Sequence, residues 1–141
     1  MAAFNKFEKF VLHLASGEHN LAAAGDMLKA YLTNNAPSAS GDTLKADLAG
    51  IAEGSGYAET DIQNDVSESG GVLSLTGVDI TITASGGNVG PFRYVVLYND
   101  TPTSPADPLI GWWDYGTAIT ILVGETFTVD FDGSNGILTV A

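Results

Sequence analysis

The downstream half of the chain alternates with a period of two, and that pattern confines it to β-structure. Val78, Ile80 and Ile82 alternate with Asp79, Thr81 and Thr83, as on a strand with one buried and one solvated face. Phe127, Val129 and Phe131 face away from Thr128, Asp130 and Asp132 in the same manner. Phe92 to Tyr98 is apolar on both faces except at Arg93, which predicts a central strand covered on each side. Leu109 to Tyr115, Ile119 to Val123 and Ile137 to Val140 complete the series. Asp132-Gly133-Ser134-Asn135-Gly136, between the last two strands, reads as a hairpin turn because Gly and Asn accept positive φ at little cost. Short strands with frequent turn signals predict a mainly β chain, an antiparallel β-sandwich of jelly-roll-like type.

Upstream of Gly50 the pattern is mixed. Phe7 to Leu14 puts Phe10, Leu12 and Leu14 on one face, which predicts a strand ending at the Ser16-Gly17 turn. Met27 to Thr33 also alternates, with Leu28, Ala30 and Leu32 facing one way; the alanines leave a helical reading of Leu21 to Leu32 open. After Asp42, a capping-type residue, Leu44, Leu48 and Ile51 fall at helical spacing. One short helix is therefore expected at about residues 43–52, stopping at the Gly54-Ser55-Gly56 loop. A length of 141 residues suits one domain. The expected organisation is an N-terminal arm or edge strand over 1–20 and a single β-sandwich domain over 21–141.

Charge narrows the partners. Five basic residues stand against 17 acidic ones, a net charge of −12, and beyond position 50 Arg93 is the only cation. Nucleic acid and anionic membranes both require Lys and Arg, so neither is an expected partner. No apolar run approaches the ~18 residues of a membrane helix, and Lys6, Glu8 and Lys9 interrupt any leader-like segment at the start. Cysteine is absent, which removes disulfides and thiolate chemistry. Only 16% of residues are charged, below the usual share of about 25%. Part of the surface is then expected to be covered by another subunit.

The candidate chemistry is sparse. Asp130 and Asp132 could be paired as catalytic carboxylates, but both alternate with core aromatics as solvated strand residues do. Asp130, Asp132 and Asn135 could offer oxygens to calcium, yet no bidentate Glu follows at the required distance. His13 and His19 lack the spacing of a zinc site. The Gly54-Ser55-Gly56 stretch opens no helix that could cradle a phosphate. No enzyme, cofactor or metal site is expected. Trp112, Trp113 and Tyr115 share one short strand, so the two tryptophans must point to opposite faces. An outward Trp beside Asp114 could stack on a sugar or anchor a protein interface; a subunit interface is the preferred reading. A dimer or trimer would also account for the two apolar faces of Phe92 to Tyr98.

Three runs are familiar as a set: Gly90-Pro91-Phe92-Arg93-Tyr94-Val95-Val96-Leu97-Tyr98-Asn99-Asp100-Thr101, Pro108-Leu109-Ile110-Gly111-Trp112-Trp113-Asp114-Tyr115-Gly116, and Gly124-Glu125-Thr126-Phe127-Thr128-Val129-Asp130-Phe131. With Leu32-Thr33-Asn34, Ala36-Pro37 and Gly54-Ser55-Gly56-Tyr57, they resemble a small structural-protein family of tailed bacteriophages, from about Leu28 to the end. The resemblance implies a capsid decoration (cement) protein: a β-rich homotrimer on the virion surface, made in the host cytoplasm, that clamps adjacent major-capsid subunits without chemistry. The alternative is a carbohydrate- or receptor-binding β-sandwich of a tail or head fibre, stacking ligands on Trp112 or Trp113 and Tyr115. Phe4, Phe7 and Phe10 of the N-terminal arm, together with Arg93, Trp112, Trp113 and Tyr115, are the residues expected at interfaces.

Overall fold

The computed structural model describes residues 2–141. Its strands are β1 (Phe4–Lys6), β2 (Leu28–Thr33), β3 (Thr60–Asp61), β4 (Asp65–Ser69), β5 (Val72–Thr76), β6 (Ile80–Thr83), β7 (Val89–Asn99), β8 (Leu109–Ile121), β9 (Thr126–Val129) and β10 (Leu138–Val140), with one helix, α1 (Lys9–Ala15). The five-stranded sheet has the order β1-β8-β7-β2-β3, β10-β5-β4 form a second sheet, and β6 pairs with β9. All the pairings are antiparallel. The chain is mainly β and sandwich-like.

The two apolar faces of β7 have separate destinations. Val95 and Leu97 face the main core, with Leu28, Ala30 and Leu32 of β2 and with Leu75, Ile80, Ile82 and Val129 from the two smaller sheets. Val96 and Tyr98 face the other way, into a small core with Phe7, Tyr31, Leu48 and Leu109. Phe92 also belongs to the main core, because a register shift between Phe92 and Tyr94 interrupts the alternation. The chain's own segments thus cover both faces of the central strand, and no second subunit is needed to explain its composition.

Four expectations are corrected. Phe7 to Leu14 is not a strand: only Phe4–Lys6 pairs, along the edge of β8, and the helix follows. Its apolar residues satisfy either period, and the helical face that brings Phe10 and His13 inward is the one that packs. The helix expected at 43–52 reduces to a single 3₁₀ turn, Lys45–Asp47. The backbone there bonds outward instead: Lys45 N–H donates to Asp107, Ile51 N–H to Leu32, and Leu109 N–H to Thr43. Asp47, not Asp42, does the local capping, accepting from the N–H groups of Thr43 and Leu44. Leu109 to Tyr115 and Ile119 to Val123 are not two strands, because β8 runs through from Leu109 to Ile121 with Gly116 at φ +98°. Asp132 to Gly136 is a genuine turn with Gly136 at φ +81°, but it links β9 and β10, which lie in different sheets, so it closes no hairpin.

Candidate interaction surfaces

The N-terminal aromatics straddle the edge of the five-stranded sheet. Phe4 pairs opposite Trp113 in register, with ring centroids 5.2 Å apart on the main-core side. Phe7 lies on the other side, 4.6 Å from Trp112. Phe7 and Phe10 are fully buried in the chain's own cores, which corrects their assignment as interface residues. Trp112 and Trp113 do take opposite faces, but each is partly buried against a core. Among the seven sequence candidates, Tyr115 stands out as half exposed. Gly111 permits this edge to close: a Cβ there would collide with the Phe4 ring and the Asn5 carbonyl.

Arg93 is engaged within the sheet. Its Nε and an Nη donate to the two carboxylate oxygens of Asp114 at 2.8 and 3.0 Å, and its guanidinium sits 5.4 Å from the Tyr94 ring centre. The Arg93 hydrogen bond, supported by the Gly116 N–H, holds the Asp114 carboxyl below the usual carboxylate range. This planar pair at the surface orients both side chains and leaves Arg93 with little capacity for an external anion.

A cleft of about 320 Å³ opens beside Tyr115, where β8 and β9 face each other. Trp113, Tyr115, Phe127 and Val129 give it apolar walls, and Thr128 and Asp130 stand among them. The Tyr115 and Phe127 rings meet edge to face at 5.8 Å. Sequence spacing already places Trp113 and Tyr115 on one face; Phe127 arrives from a strand of another sheet.

A second hollow, about 440 Å³, runs between α1 and β10. Lys6, Phe10, Val11, Leu14 and Val140 line it, and Val11 and Leu12 on the helix are more than half exposed. Charge singles out this face. Lys29, Lys45 and Arg93 are each ion-paired, with Asp100, Glu59 and Asp114, whereas Lys6 and Lys9 make no ion pair among the described residues. The opposite end of β8 carries a different feature. There the Leu122 to Glu125 turn, closed by Glu125 N–H to Leu122 O, exposes Leu122 and Val123 beside an acid.

The titratable candidates are used internally. Asp132 accepts from the N–H groups of Ser134 and Asn135 and from the Asn135 side chain, which holds its carboxyl low. Asp130 is exposed and Asp132 half-buried. His13 and His19 are both buried, their rings 6.0 Å apart. Asn99 donates to His19 Nδ1 at 3.0 Å and to Asp26 at 2.7 Å. Its own oxygen accepts from Thr101 N–H, which fixes the amide orientation and leaves the His19 proton on Nε2. Burial, with His13 adjacent, lowers the His19 pKa to about 4 despite Asp26. Among the described residues, no three His, Asp or Glu side chains converge as a metal site. Comparison with protein-family models, with curated proteins and with solved structures finds no match for this chain.

Proposed function

We propose that the chain is a structural component of a tailed-phage virion, a capsid decoration protein that binds adjacent major-capsid subunits as a homo-oligomer and stabilises the head. The observation that carries the assembly part is the segregated surface. Lys6, which makes no ion pair among the described residues, and the exposed Val11 line the α1–β10 hollow, with Lys9 and the exposed Leu12 on the same helix, in a chain whose net charge is −12. Exposed apolar side chains rimmed by one sign of charge mark a protein contact. The phage part rests on the sequence resemblance, whose three runs form β7, the first half of β8, and β9 with its flanks. A homotrimer is the expected state, and several weak footprints on one oligomer would multiply into a firm hold.

Purified protein should cosediment saturably with capsids that lack it and raise the temperature at which those capsids rupture. Lys6→Glu with Val11→Asp, both at the hollow, should weaken the cosedimentation at least tenfold. Wild-type protein that stays in the supernatant at micromolar concentrations would refute the capsid assignment.

A further inference from the structure

We infer that the cleft between β8 and β9 is a binding site for a neutral saccharide. The inference goes beyond the assembly reading and does not depend on it. The cleft of about 320 Å³ lies at the lower end of the ~300–1,000 Å³ found for small-ligand sites, a size suited to one or two pyranose rings. Tyr115, Trp113 and Phe127 supply aromatic surface, and the apolar C–H face of a pyranose packs on such rings while its hydroxyls stay free for polar partners. A purely apolar ligand would leave the polar groups of the cleft unmatched. Asp114 and Asp132 are occupied by Arg93, Gly116, Ser134 and Asn135. The Asp130 carboxylate and the Tyr115 and Thr128 hydroxyls, by contrast, make no side-chain hydrogen bond among the described residues. They are free to take sugar hydroxyls as acceptor and as donors.

Charge selects among sugars. Asp130 lines both this cleft and the smaller hollow beside it, which Asp132 also borders. Uronic and sialic acids would meet carboxylates in a chain of net charge −12, so neutral hexoses and N-acetylhexosamines are the class that fits.

The test is a panel of oligosaccharides of glucose, galactose, mannose and N-acetylglucosamine, with sialylated and uronic acid counterparts, titrated against the full chain and followed by tryptophan fluorescence. Neutral members should bind and perturb the Trp113 emission, while the acidic ones should not. Tyr115→Ala should weaken binding about tenfold. Tyr115 is half exposed, so that variant keeps its fold, as circular dichroism would verify. Asp130→Ala, at an exposed position, should weaken binding independently. Three outcomes would overturn the inference: no neutral sugar bound at millimolar concentration, preference for acidic sugars, or unchanged binding in both variants. Loss of capsid binding with sugar binding intact would refute only the assembly reading.

Discussion

Burial of His19 ties the stability of the N-terminal region to pH. The ring contacts Phe10 and His13 of α1 and Asn99 of β7, with Asp26 beyond the amide as the one facing carboxylate. Its pKa of about 4 lies below the ordinary 6.5, so between those values the unfolded chain binds the proton that the folded chain refuses. The stabilisation is therefore complete above pH 6.5 and declines as pH falls toward 4. From about pH 7 to about pH 4.5 the loss should be about 2 kcal/mol. Urea midpoints at the two pH values would measure it, and His19→Gln should flatten the dependence by that amount. An equally steep dependence in the variant would remove His19 as the cause. Carboxylates held low, such as Asp114 and Asp132, act mainly at more acid pH, and Asp107, pushed up by burial, works with the opposite sign, so the His19→Gln comparison isolates the histidine.

At the scale of elements, the segment from β1 to α1 acts as a clip rather than an arm. Phe7 fills the small core and Phe10 the main one, so a few residues seal the β8 edge from both sides. Phe7→Ala should cost about 3 kcal/mol in urea denaturation, while Leu12→Ala, on the exposed face of the same helix, should stay within about 0.5 kcal/mol. A silent Phe7→Ala would restore the picture of a free arm. This region also marks where the sequence stops being legible. The strand character and two-sided burial of β7 follow from the apolar run Tyr94 to Tyr98, and the opposed tryptophans follow from a period of two. Residues 7–14 carry apolar side chains at both helical and strand spacing, and only the docking of Phe10 and His13 decides between them. Leu44, Leu48 and Ile51 have helical spacing, yet the Ile51 N–H bonds to β2 and the Lys45 N–H to the loop before β8. The Asn99–His19 bond joins positions 80 residues apart, and no local pattern records such a pairing. The aromatic cleft is half legible: Trp113 and Tyr115 share a face by parity, but β9 reaches them through tertiary packing alone.

At the scale of the molecule, the proposed self-assembly is constrained by charge and distance. Lys6 pairs opposite Gly111 near the start of β8, and the exposed Leu122–Val123 tip follows the end of that strand at Ile121. At ~3.3 Å per residue the stretch from Gly111 to Leu122 spans about 36 Å, so one copy cannot fill its own hollow. A two-fold contact of hollow on hollow would bring the Lys6 side chains of the two copies together. A head-to-tail contact instead sets Leu122 and Val123 against Val11 and Leu14, with Glu125 near Lys6, and such contacts build rings or, where the rotation does not close, filaments rather than pairs. Light scattering behind size exclusion should then show a species larger than a dimer, weakened by salt because the lysine–glutamate attraction is exposed. Val11→Asp spoils the hollow and Leu122→Asp spoils the tip, so each variant alone should be monomeric. Mixed in equal amounts, they retain one intact hollow and one intact tip between them and should form a dimer that grows no further. A wild-type chain that stays monomeric, or a mixture that stays monomeric while wild type assembles, would show that these two surfaces are not partners.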